Sequence, residues 1–233
     1  FHMNKGEFYS RDINYKSWGY DNYYGLQDIQ KYNDERYVLD RELILNKTFY
    51  NKIFKQQGNF VNYIITYSPH TPFTTEKEVG KILAEEKYGK GNVPKLSEED
   101  CAKMAASETD NMVGLLIQAL KDNGLYDNTV IVAYADHYLY TLDDKSILDK
   151  YKETSNNLIN HTPFFVWSSD LGQLTSISKV NMQMDILPTV LNLFGIDYNS
   201  NNYIGHDILS NDFKGYAFFS DYSWYDGKVY VEN

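Results

Sequence analysis

Asn128-Thr129-Val130-Ile131-Val132-Ala133-Tyr134-Ala135-Asp136-His137-Tyr138 is a run of β-formers that stops at a carboxylate and an imidazole, and the turn-like Tyr126-Asp127-Asn128 leads into it. Unbroken hydrophobicity from Thr129 to Tyr134 suits a strand buried on both faces, as at the centre of a parallel sheet. In open α/β sheets, ligands sit just beyond the carboxyl ends of such strands. Asp136-His137 therefore reads two ways. It is either a capping Asp beside a hydrogen-bonded His, or an oxygen-plus-nitrogen grip for a divalent cation.

Working outward, Ser97-Glu98-Glu99-Asp100 is a capped helix start with acids in its first turn. Apolar or small residues recur at Ala105, Thr109, Met112, Leu116 and Leu120, and Gly124 closes the helix just before the quoted strand. Phe60–Ser68 reads as a second buried strand that runs into the extended loop Pro69-His70-Thr71-Pro72-Phe73. Asp40 precedes a helical pattern at Leu45, Phe49 and Ile53 that ends near Gly58. Pro163–Trp167 is a third strand, and Met182–Phe194 a helix with Pro188 early and Gly195 at its end. Residues 1–37 read as ordered loop with short helical turns, 76–96 as a flexible excursion, and 138–160 as polar loop carrying some helix. Tyr216–Ser220 and Lys228–Val231 read as antiparallel strands around the turn Asp226-Gly227. Helix, short loop, strand is a doubly wound α/β pattern: a mainly parallel sheet flanked by helices, about 1–200, then a small antiparallel subregion, about 201–233.

The 233 residues can bury a core. Twenty-two Tyr and twelve Phe point to one built on rings, and the formal charge of −10 argues against a nucleic-acid surface. One cysteine, Cys101, excludes an internal disulfide and any cysteine-based metal cluster. No run of about twenty apolar residues occurs, so nothing here spans a membrane. The opening Phe1-His2-Met3 resembles an internal start more than a natural N-terminus.

Five separated segments carry a resemblance. Phe1-His2, Phe8-Tyr9-Ser10-Arg11-Asp12 and Gly19-Tyr20-Asp21 form the first. Thr66-Tyr67-Ser68-Pro69-His70-Thr71-Pro72-Phe73 is the second. Gly124-Leu125-Tyr126-Asp127-Asn128-Thr129 leading to Asp136-His137-Tyr138 is the third. Asp185-Ile186-Leu187-Pro188-Thr189 with Gly195-Ile196-Asp197, and then Gly205-His206-Asp207-Ile208-Leu209, complete the series. In this order and spacing the chain resembles the extracellular catalytic domain of lipoteichoic acid synthases, phosphoglycerol transferases of the sulfatase and alkaline-phosphatase-like superfamily. The whole chain, 1–233, corresponds to the C-terminal portion of that single domain.

The resemblance implies one divalent metal, Mn²⁺ or Mg²⁺, held in part by Asp136 and His137, with Ala135 standing where the family has Gly. It assigns Arg11 to the substrate phosphate, and a guanidinium fork suits that task; unaided, Arg11 reads as a surface arginine pairing with Asp12. Tyr9 replaces a family Trp that lines the glycerol-phosphate pocket, and His2 and His70 match histidines lining the same pocket. His161 aligns with no family ligand and reads as a histidine satisfied by its neighbours. His206 reads as part of a structural turn, Asp185 and Pro188 as packing and helix initiation, and Tyr222, Trp224 and Tyr225 as hairpin packing.

The family's nucleophilic Thr and Glu metal ligand are expected upstream, so no catalytic nucleophile is assigned in this chain, which alone would be incomplete and inactive. The implied reaction moves glycerol phosphate from phosphatidylglycerol to a growing polyglycerol-phosphate chain through a covalent intermediate. The implied setting is the outer face of a Gram-positive membrane, with the anchor and the rest of the catalytic domain lying outside this sequence. Rival readings are another sulfatase-superfamily hydrolase, a phosphoethanolamine transferase, or a non-catalytic teichoic-acid-binding fragment. Cys101, mid-helix, has the wrong context for the formylglycine that sulfatases use.

Overall fold

Val130–Tyr134 forms β1, and Phe164–Ser168, at the third predicted strand, forms β2 beside it. The computed structural model describes residues 1–29, 37–152 and 160–233. The parts of the loop readings that fall on 30–36 and 153–159 lie outside the described residues. The described chain divides into two compact units, 1–130 with 137–161, and 131–136 with 162–233.

The first unit holds the helices α1 (Arg11–Ser17), α2 (Glu42–Leu45), α3 (Lys47–Phe54), α4 (Glu78–Tyr88), α5 (Glu98–Asp122) and α6 (Ser146–Asp149). The spine is α5, 25 residues long. Ser97 Oγ caps it by accepting from Asp100 N at 3.1 Å, and Gly124 leaves it at φ +66°. Its inner stripe runs Cys101, Ala105, Glu108, Met112, Ala119 and Leu120, so an acid sits among the expected apolar residues. Both α2 and α4 lie against α5. Val79 and Leu83 of α4 pack with Leu39, Tyr67 and Met104, while Phe73 joins Cys101, Ala102, Leu142 and Ile147.

Three expectations are corrected in this unit. Residues 76–96 are not a free excursion, because Val79 and Leu83, one helical turn apart, give the charged segment a buried face. The helix expected from Asp40 to Gly58 breaks at Asn46, which takes an extended ψ and caps α3 by accepting from Thr48 N at 3.0 Å. The segment 60–68 is extended but forms no regular strand, and one parallel bridge, His2 to Ile65, marks it.

The second unit holds β1 (from Ile131), β2, the helix α7 (Ile186–Leu193), and a three-stranded antiparallel sheet of β3 (Ala217–Phe218), β4 (Trp224–Tyr225) and β5 (Tyr230–Val231). Expected as buried on both faces, β1 is instead half-buried in its middle and exposed at its ends, since β2 is its one hydrogen-bonded neighbour among the described residues. Asp226 Oδ1 accepts from Lys228 N and Val229 N, both at 2.8 Å, and Gly227 takes φ +91°, which makes the predicted turn. Tyr222, expected to pack in the hairpin, is 70% exposed. Asp185 acts as expected in packing: its carboxylate accepts from Met182 N at 2.9 Å and from His206 N at 2.7 Å, tying the entry of α7 to the 205–208 turn. At Gly205 a Cβ would stand 1.8 Å from Met184 O, so only glycine permits that approach.

Candidate functional site

His2 enters its site on a short extended run. Phe1 N donates to Tyr63 O at 2.7 Å, Ile65 N to Phe1 O at 2.9 Å, and His2 N to Tyr24 O at 3.1 Å. The residue is 3% exposed, and its Nδ1 lies 3.0 Å from Ile65 O. A carbonyl there calls for a proton on Nδ1, which leaves Nε2 the acceptor of a neutral ring. Burial pulls the imidazole down to about 4 against the raising effect of the Ile65 bond, and the charges of Arg11 and His70 lower it further. Arg11 and His70, assigned with His2 to one pocket from separate motifs, thus both act electrostatically on His2.

Arg11 opens α1 immediately after Tyr9 and Ser10, whose φ values of +57° and +51° are left-handed. For non-glycine residues such a turn costs about 1–2 kcal/mol each. It brings the Tyr9 ring to the guanidinium, with Arg11 Cζ 5.4 Å from the Tyr9 centroid and 5.7 Å from that of Phe8. Asn14 Nδ2 donates to Tyr9 O at 3.0 Å and holds the bend. Tyr9 itself is 73% exposed, an aromatic wall open to solvent. Asp12, the neighbour with which a surface Arg11 would pair, accepts from Ile13 N through Oδ1 at 3.0 Å. Arg11 Nη1 is instead buried with no hydrogen-bond partner. Leaving such a donor unsatisfied costs about 1–3 kcal/mol, and an anionic oxygen would remove the cost.

Sequence reasoning missed Tyr23. Its Oη is the other buried side-chain polar atom among the described residues with no hydrogen-bond partner. Burial pushes the phenol up to about 12, while the Arg11 charge acts the other way. Within the Tyr-rich opening no spacing distinguishes it from Tyr20 or Tyr24.

His70 sits in the loop that follows Tyr67 and Ser68, which are tied to α5 through Asp40. Tyr67 stands between the two histidines, edge-on to His2 at 6.1 Å and stacked on His70 at 5.4 Å. Asp40, fully buried, accepts from Tyr67 N at 2.7 Å, Ser68 N at 3.1 Å and Thr109 Oγ1 at 2.9 Å. Burial raises its carboxyl, and the three donors oppose that. Its neighbour Arg41 donates through Nε at 2.8 Å to the buried Glu108 and pairs with Glu86 at 2.9 Å. His70 is exposed, with Nδ1 2.7 Å from Thr71 O, which leaves Nε2 for a ligand.

Asp136 ends the second unit's 131–136 segment and His137 begins the first unit's 137–161 segment. Gln183 Nε2 donates to the backbone oxygens of Ala135 and Asp136 at 2.9 and 2.7 Å, and so holds the end of β1. His137 Nδ1 lies 2.8 Å from Tyr138 O, and its ring meets Tyr140 edge-on at 4.8 Å. With Nδ1 engaged by that backbone carbonyl, Nε2 is the ring nitrogen left for a ligand. A hard carboxylate with one imidazole fits Mn²⁺ or Mg²⁺ as part of a shell only, because no group of three or more His, Cys, Asp or Glu that could hold a metal occurs among the described residues. His161 is exposed before β2, and His206 serves the Asp185 turn through its backbone N–H.

The Sulfatase family model matches residues 1–196, and the chain belongs to that family. Its fold is accordingly part of the alkaline phosphatase/sulfatase-like α/β architecture. More particularly, the chain is 30% identical over 239 residues to a lipoteichoic acid synthase of Staphylococcus saprophyticus, covering 96% of this chain and 35% of that protein. The same enzyme name from Staphylococcus aureus matches at 30% over 238 residues, again 96% and 35%. The crystal structure of the lipoteichoic acid synthase LtaP from Listeria monocytogenes superposes with a TM-score of 0.76 at 26% identity, covering 100% of this chain and 58% of that one. The likeness carried by the five motifs is thereby shown, and the chain spans about a third of the length of the curated relatives it matches.

Proposed function

We propose that this chain is the C-terminal portion of the catalytic domain of a metal-dependent phosphoglycerol transferase of lipoteichoic acid synthase type. It would move glycerol phosphate from phosphatidylglycerol to a growing polyglycerol-phosphate chain at the outer face of the membrane. The observation that carries this reading is the unpartnered buried Nη1 of Arg11, whose charge acts on the buried His2. Arg11 binds phosphate oxygen, Tyr9 walls the glycerol, and His70 hydrogen-bonds the phosphate or assists the departing alcohol through Nε2. Asp136 and His137 would hold Mn²⁺ or Mg²⁺. Such an ion lowers a nucleophile's pKa and neutralises phosphoryl charge. The proposed nucleophile, a Thr, and a further Glu ligand belong to the part of the protein outside this chain. No helix among the described residues is long and apolar enough to cross a membrane, so an anchor too would lie outside it.

The test is head-group release from phosphatidylglycerol by the intact protein with Mn²⁺. Asp136→Ala and His137→Ala should each abolish release, and Arg11→Ala should raise KM at least tenfold. Full turnover by both ligand variants would remove the metal assignment, and an unchanged KM in Arg11→Ala would remove the phosphate role.

A further inference from the structure

We infer that Tyr23 is a second anion donor of the phosphate pocket, its phenolic O–H binding a non-bridging oxygen of the same phosphate that Arg11 grips. This rests on the phosphoglycerol reading and adds to it a residue that no motif marks.

Tyr23 Oη and Arg11 Nη1 are both buried and both lack a hydrogen-bond partner. Native interiors rarely tolerate one such atom, so two call for a common cause, and the Arg11 charge acts on the Tyr23 phenol. Their neighbourhood is visible at Gly6. A Cβ there would stand 2.9 Å from Asp12 Cβ and 3.1 Å from Tyr23 Cε1, so the hydroxyl-bearing edge of the ring lies beside the residue that follows Arg11. At Gly25 a Cβ would meet the same Cε1 at 2.9 Å. A side chain at either position would push that edge away.

The glycine walls are held in place. Gly6 N donates to Gln27 Oε1 at 3.1 Å, Asp12 N to Gly6 O at 3.3 Å, and Gly25 N to Asp28 Oδ2 at 2.7 Å. Tyr15 holds the ring from another side at 5.9 Å between centroids. The hydroxyl is therefore fixed where it stands. A guanidinium can only donate, so a phenol can share a ligand atom with it only by donating as well. An anion with several oxygens can satisfy both donors at once, and a phosphate ester is such an anion. Burial keeps the phenol protonated at neutral pH, which leaves it a donor throughout the working range.

Calorimetric titration of the intact protein with glycerol 1-phosphate, paired with thermal melting without ligand, tests this. Tyr23→Phe should weaken binding about tenfold to a hundredfold, the range for a hydrogen bond to a charged group. The same variant should melt at an equal or slightly higher temperature, since it removes a buried hydroxyl that no protein atom satisfies. Equal affinity of Tyr23→Phe and wild type overturns the inference and leaves the phosphoglycerol reading standing. Weaker binding with a lower melting temperature also overturns it, by making the hydroxyl part of the framework. Failure of the wild type to bind glycerol 1-phosphate overturns the phosphoglycerol reading and this inference with it.

Discussion

His2 couples the site to pH through a single buried ring. Its folded value of about 4 lies below the ordinary 6.5. Above pH 6.5 both folded and unfolded chains hold it neutral, and its contribution to stability is fully present. As pH falls from 6.5 towards 4 the unfolded chain takes up a proton that the folded chain refuses, and stability drops by about 3 kcal/mol. Urea unfolding between pH 7 and pH 4 should show that slope, flattened in His2→Asn, and an equal slope in both proteins would contradict the burial argument. Sequence motifs assigned His2, Arg11, Tyr9 and His70 to one pocket, but nothing in them predicts how each is held. The left-handed pair Tyr9-Ser10, the orphaned Nη1 and the unmarked Tyr23 come from backbone bends and neighbours that single residue types do not encode.

Among the elements, the tie between α5 and the loop that carries His70 runs through Asp40. The sequence places Asp40 just ahead of a helical pattern, yet its carboxylate receives two backbone N–H groups and a hydroxyl from distant segments. Asp40→Ala would leave Tyr67 N, Ser68 N and Thr109 Oγ1 without their acceptor and should cost about 3 kcal/mol of stability. Chemical denaturation measures it, and a loss below about 0.5 kcal/mol would show that these three bonds do not hold the loop. Elements with strong local signals, such as the capped and acid-led α5 and the Asp226-Gly227 turn, formed where expected. Those whose state depends on a partner did not: 60–68 stayed extended with a single bridge, and α4 formed under Val79 and Leu83.

For the molecule as a whole, the boundary between the two compact units falls in sequence between Asp136 and His137, the residues proposed to hold the metal. An ion bound there stabilises the folded state by mass action, by about 2.7 kcal/mol at a hundred times its Kd. Mn²⁺ should therefore raise the melting temperature of the intact protein by several degrees, and that rise should vanish in the double variant Asp136→Ala/His137→Ala. A rise of equal size in the double variant would place the ion elsewhere.

Membership of the sulfatase family and the α/β class were legible in the chain alone, because short motifs in a set order survive as linear patterns. Tertiary structure alone decided that Glu108 and Asp40 are buried, that Arg11 keeps a donor unpaired, and that the Tyr23 hydroxyl edge reaches the flank of α1. Burial and hydrogen-bond satisfaction depend on neighbours distant in sequence, and no local pattern carries them.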